Sequence, residues 1–402
     1  MRILQSVRPA NLKKIMQDIR VDDYGIGIML PKADHYLVKL NAIPNISANI
    51  LKQEMLSLGG DAAVARGALT GGVKKTDCLI MGTASQFGSL NHKLKNQPFG
   101  LSSLALRLHA SLVNFRKESF SLDLGRYRLN LGLRTNIMGV INVTPDSFSG
   151  DGLLQVERSE FKGQSFILEY AQKLVRDGAD IIDVGGESSR PGARPVPLKE
   201  ELRRVVPVIK LLTKKIKVPV SVDTYKYQVA QQALDSGAVI VNDISGLRDS
   251  RMAKVISRRK AGVVLMHMRG NPRTMQKDTE YGVLMDEISA YLESGIRRAL
   301  ESGINSDRII IDPGLGFGKS MDQNLEIINN LRDLKSLGRP ILVGPSRKSF
   351  IGKILNKGPE ERVFGTVAAC VLASNNGAKI VRVHDVAAVK DALRVSDGIS
   401  KT

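Results

Sequence analysis

At 402 residues the chain has room for one large domain and a smaller one, and 43% apolar with 25% charged residues is the balance of a water-soluble globular protein. No stretch of about 18 apolar residues occurs, so no membrane span is expected, and two cysteines 292 positions apart suit neither a disulfide framework nor a zinc cluster. The formal charge of +19 fits anionic ligands, nucleic acid or simply a solvated basic surface.

Basic residues are spread along the chain, aromatics make up only 4% and Trp is absent, which speaks against base-stacking platforms. The first residues lack the charged head and apolar run of a secretory signal, so a reducing cytoplasm is the expected location.

Residues 1–133 read as a small α/β domain, with strands at 36–41 and 77–81 and helices at 47–58 and 104–115. Gly59-Gly60 and Gly71-Gly72 suit helix ends or phosphate-approaching turns. Residues 119–133 look like a strand-bearing connector. The segment carries 18 Lys and Arg against 9 Asp and Glu, a net +9. It contains no nucleic-acid motif, and nucleic-acid binding is not expected.

From residue 134 to 402 one phrase recurs about eight times: a short apolar run that stops on a polar residue. The runs are 137–141 ending on Asn142, 181–182 on Asp183, 218–222 on Asp223 and 239–241 on Asn242 and Asp243. They continue with 263–266 ending on His267, 309–311 on Asp312, 341–343 on Gly344 and 380–383 on His384. Continuous β-branched runs fit parallel strands covered by helices on both sides. Amphipathic helical stretches intervene at 166–176, 199–210, 225–234, 284–300 and 324–337, most of them closed by a glycine. The spacing predicts an α/β protein with a (β/α)8 TIM barrel, whose strand ends gather at one rim and form the active site.

That rim offers two kinds of group. Asp223, Asn242 and Asp312 suit a flat heterocycle with several N–H donors and carbonyls. Arg190, Lys348, Arg382 and His384 suit phosphate or carboxylate. A lone Asp at a strand end also serves as a helix N-cap, and Asp183 could merely brace a loop. Residues 314–319 do not meet the P-loop pattern, because Pro313 stands where it needs glycine. Acids and amides on three strands, with cations on others, exceed what capping requires.

The segments 142–148 (Asn-Val-Thr-Pro-Asp-Ser-Phe), 187–192 (Glu-Ser-Ser-Arg-Pro-Gly), 312–319 (Asp-Pro-Gly-Leu-Gly-Phe-Gly-Lys) and 346–350 (Ser-Arg-Lys-Ser-Phe) resemble the signatures of the dihydropteroate synthases. The likeness runs from about residue 136 to 399. It implies condensation of 6-hydroxymethyl-7,8-dihydropterin pyrophosphate with 4-aminobenzoate, releasing pyrophosphate with the help of Mg²⁺.

By the same resemblance Asp223, Asn242, Asp312 and Lys348 hold the pterin, with Lys348, Asp223 and Asp312 closest to the chemistry. Asn142, Arg382 and His384 take the pyrophosphate, Asn142 also the metal. Ser189, Arg190, Pro191, Phe317 and Ser346 take the aminobenzoate. Ser189 replaces the family's usual Thr, and Gly150 and Asp151 stand in exchanged order. A homodimer through barrel helices is implied as well. The rival reading is a methyltetrahydrofolate-dependent corrinoid methyltransferase, which would share the Asp/Asn/Asp grip but not need the loops at 188–192 and 346–348.

Overall fold

Eight parallel strands close into a barrel in the order β10-β11-β12-β13-β6-β7-β8-β9, the α/β architecture expected from the repeat. They are β6 (Asn136–Asn142), β7 (Ile181–Gly185), β8 (Val220–Asp223), β9 (Ile240–Asp243), β10 (Gly262–Met266), β11 (Ile309–Asp312), β12 (Ile341–Val343) and β13 (Ala378–Val383). The computed structural model describes residues 3–4, 9–144, 160–188 and 193–400.

Strand parity fixes where the chemistry sits. Successive side chains in a strand point to opposite faces. Ile137, Ile182, Val222, Val241, Val263, Ile311, Val343 and Val381 join the layer between the barrel and its helices. Met138, Ile181, Ile240, Val264, Ile310, Leu342 and Ile380 form a separate cluster inside the ring. Two residues further along each strand, on that same inward side, stand Val140, Asp183, Asn242, Met266, Asp312, Gly344 and Arg382. The barrel is thus oil at one end and acid, amide and base at the other.

The register levels the polar end. Asn142 pairs with Gly185, Gly185 with Asp223, and Asp223 with Asn242; across the ring Met266 pairs with Asp312. The opposite end is closed by a hairpin of β4 (Phe120–Leu124) and β5 (Tyr127–Leu131), whose Leu122, Leu124 and Leu131 are all at most 3% exposed within the inner cluster. Arg308 ties the hairpin down by donating from Nε to the Asp123 carbonyl at 2.8 Å. The second compact unit therefore begins at Asn114, not at residue 134, because 120–131 is the floor of the barrel rather than a connector.

The first unit, Met1–Val113, holds an antiparallel sheet ordered β1-β3-β2, from β1 (His35–Pro44), β2 (Asp61–Val64) and β3 (Lys75–Thr83). Its core gathers Leu51, Met55, Ile80, Phe87, Leu90 and Leu101 from the sheet and the helices beside it. Gly59 and Gly60 follow helix Asn45–Ser57, and a Cβ on Gly60 would lie 2.8 Å from the Met81 carbonyl. That glycine allows helix and sheet to approach, and the strand Asp61–Val64 follows it directly. Among the described residues no helix is long and apolar enough to cross a membrane.

Candidate active site

Arg382 is the hub of the polar end. Its Nε donates to Asp183 Oδ2 at 2.7 Å and its Nη2 to Asp223 Oδ2 at 2.8 Å. Asn242 Nδ2 donates to the same Asp183 oxygen at 3.1 Å. Asp183 is completely buried, far from bracing a surface loop. It points inward from β7 and pairs with a base that the family resemblance, not the strand-end pattern, assigns to the diphosphate. Parity was the signal that could have found it: Asp183 lies two residues past Ile181, as Arg382 lies two past Ile380.

Burial pushes the Asp223 carboxyl up to about 7, against the pull of Arg382 and Lys348. It pushes Asp312 up to about 6, opposed by the Gly314 N–H and by Lys348. Asp312 Oδ1 accepts that N–H at 2.7 Å, which leaves the rest of the carboxylate turned to the barrel end. Helix capping explains neither acid, whereas Asp249 does cap a helix, accepting from the Arg251 N–H at 2.9 Å.

Asn142 and His384 meet on the next sector, with Asn142 Nδ2 3.5 Å from His384 Nε2. The other ring nitrogen of His384 is 3.0 Å from Ser346 Oγ, which also accepts the His384 N–H at 3.2 Å. A residue expected at the aminobenzoate is therefore bonded to one expected at the pyrophosphate. Gly185 leaves this sector open, since a Cβ there would stand 3.7 Å from Asn142 Oδ1 and 3.8 Å from Asp223 Oδ2.

Lys348 Nζ lies 4.3 Å from the centre of the Phe317 ring, a cation over an aromatic face. Its position is set by Arg347, whose left-handed backbone (φ 57°) is held by an Nη2 bond to Asp385 at 3.0 Å and by its N–H donating to Thr366 Oγ1 at 3.1 Å. Phe317 belongs to an apolar wall with Ile244, Met266, Met268, Met275 and Tyr225 that sequence reading did not assemble. A flat ring has a matching surface there.

Two further groups support the rim. Lys226 donates to Glu187, Glu201 and, at 2.8 Å, the Val196 carbonyl, while Tyr225 Oη donates to Glu187 Oε1 at 2.8 Å. His267 is buried, and desolvation with the nearby Lys319 charge drives its pKa down to about 2, so it is a neutral hydrogen-bonded rim residue rather than a base. Ser189, Arg190 and Pro191, and the loop with Gly150 and Asp151, lie outside the described residues.

Comparison with known proteins identifies the family. The model of the pterin binding enzymes matches residues 138–384. A dihydropteroate synthase from Synechocystis is 46% identical over 280 residues, covering 69% of this chain and 94% of that one. A probable bifunctional folylpolyglutamate synthase/dihydropteroate synthase of Halobacterium salinarum is 38% identical over 374 residues, 93% of this chain but 44% of its own. The crystal structure of dihydropteroate synthase from Clostridium difficile with pteroic acid superposes with a TM-score of 0.62 at 45% identity, covering 68% of this chain and 99% of that one. The chain belongs to the pterin binding enzyme family, among the dihydropteroate synthases.

Proposed function

We infer that this chain condenses 6-hydroxymethyl-7,8-dihydropterin pyrophosphate with 4-aminobenzoate, giving 7,8-dihydropteroate and pyrophosphate. The observation that carries the reading is the inward placement of Asp223, Asn242 and Asp312 in one barrel end that also holds Arg382 and Lys348. Carboxylates and an amide can receive the pterin's N–H groups and answer its carbonyl, and Ile244, Met266 and Phe317 give the ring an apolar bed.

In this reading the bond from the pterin methylene to the diphosphate oxygen breaks, the aniline nitrogen forms the new bond, and the proton it sheds passes to the departing diphosphate or to water. Asp223 and Asp312, ionised, favour positive charge developing on the pterin, and Arg382 and His384 favour the negative charge of the departing diphosphate. Phe317 and Ser346, with Ser189, Arg190 and Pro191, are proposed to hold the aminobenzoate.

The residues fit an Mg²⁺ ion that arrives with the diphosphate. Asn142 turns its amide nitrogen to His384, leaving its carbonyl oxygen as a hard donor beside the space that Gly185 leaves. Mg²⁺ is commonly held by one or two protein oxygens plus phosphate and water, and among the described residues no cluster of three metal-ligating side chains competes. When bound, the ion supplies charge neutralisation for the leaving group.

We place the enzyme in the cytoplasm as a homodimer. Phe364 and Leu372 on helix Val363–Asn375, with Val395 and Ile399 on helix Val386–Ile399, are 56–80% exposed apolar side chains on adjacent helices, which suits a second copy. Light scattering tests the dimer. The function is tested by incubating purified protein with the pterin pyrophosphate, 4-aminobenzoate and Mg²⁺; diphosphate and dihydropteroate should form together, and absence of both rejects the reading.

A further inference from the structure

We propose that Lys319 is a positioning residue for the second substrate: it sets the turn from Gly314 to Phe317 that presents Phe317 to 4-aminobenzoate. The proposal rests on the synthase reading and deepens it.

Lys319 is 3% exposed and points away from solvent into the loop after β11. Its Nζ is 2.9 Å from the Gly314 carbonyl, 3.0 Å from the Phe317 carbonyl and 3.0 Å from His267 Nδ1. An ammonium has three protons, and each finds one acceptor here. The neutral His267 ring accepts at Nδ1 and is fixed edge-on against Tyr291, with centroids 4.9 Å apart.

The turn it gathers touches both halves of the site. Gly314 donates its N–H to Asp312 and offers its carbonyl to Lys319. A side chain is excluded at Gly314, because a Cβ would fall 2.0 Å from the His267 carbonyl and φ is +70°. Three residues on, Phe317 donates its N–H to the same Gly314 carbonyl at 3.2 Å and carries Lys348 over its ring. Asp312 keeps its own anchor in the Gly314 N–H, whereas the Phe317 carbonyl is held by Lys319.

A methionine could fill this volume without the cost of burying an ammonium. Burial drags the Lys319 pKa down to about 7, and the Asp312 charge opposes that pull. A buried amine whose polar contacts all go to one turn and its neighbour acts through geometry.

The test uses the full chain, with Lys319→Met and Lys319→Gln compared with the unaltered protein for Tm, kcat and KM of each substrate. The KM for 4-aminobenzoate should rise about tenfold in both variants, while the KM for pterin pyrophosphate moves by less than about threefold. Phe317→Ala should raise the same KM and add little to Lys319→Met when combined with it. Equal changes in the two KM values, unchanged KM values, or failure of both Lys319 variants to fold would overturn the proposal, the last because it makes the ammonium a requirement of the whole barrel. An unaltered protein that forms no dihydropteroate would instead refute the function itself.

Discussion

Arg382 bonds Asp223 with one nitrogen while another holds the fully buried Asp183. One guanidinium thus serves two acids of the inner ring, of which Asp223 keeps 12% of its side chain exposed and Asp183 none. Removing the base leaves both acids without it. Arg382→Met should cost about 3 kcal/mol of stability, since breaking a buried ion pair strands its partner. Urea denaturation measures it, and a change below about 1 kcal/mol would show that water reaches Asp183.

Asp223→Asn keeps the shape and removes the charge. The affinity for a dihydropterin should fall by about 1.5–3 kcal/mol, the worth of a charged buried hydrogen bond. Isothermal calorimetry at neutral pH reads it directly, and an unchanged Kd would contradict the pterin assignment of that acid.

Lys348→Ala removes a cation that helps hold both Asp223 and Asp312 ionised and that sits on the Phe317 ring. Turnover should drop about a hundredfold or more, in line with losing one charged group from a preorganised site. Full activity in a steady-state assay would remove Lys348 from the proposed mechanism.

The raised carboxyl pKa values predict a pH dependence. Burial brings Asp223 to about 7 and Asp312 to about 6, so the free fold favours their neutral forms. That contribution to stability is complete below the ordinary carboxylate range and is lost as pH rises through about 7. A pterin that donates N–H groups prefers the ionised acids and works in the opposite sense. The rise in Tm on adding a dihydropterin should therefore grow from pH 5 to pH 8, and a flat profile by scanning fluorimetry would refute it.

The hairpin at the barrel floor dictates where the chain can be shortened. A chain starting at Gly132 should aggregate, because it loses Leu122, Leu124 and Leu131, each worth roughly 2–3 kcal/mol of buried surface. A chain starting at Asn114 keeps them and should remain soluble by size-exclusion chromatography. Equal solubility of the two would mean that the floor contributes little.

The strand repeat made the barrel and its polar rim legible, because an apolar run followed by Asp223, Asn242 or Asp312 reflects a two-residue alternation that sequence displays directly. Asp183 was read as the end of its run and a possible loop brace, whereas it sits in mid-strand, and matching its parity with Arg382 across the closed ring reveals its role. The hairpin at Phe120–Leu131 was read as a connector, since its alternating pattern fits any half-buried ribbon and says nothing about which apolar face it covers. Lys319 was noticed as the end of an unsuccessful nucleotide motif and of a family-like segment, with no role of its own. Its three partners come from two loops that no local pattern joins. The apolar wall around Phe317 likewise draws on separate segments.

With its lower mouth stoppered by Leu122, Leu124 and Leu131, the ring of strands is a cup rather than a tube. Whatever enters must cross the same lip by which the products leave.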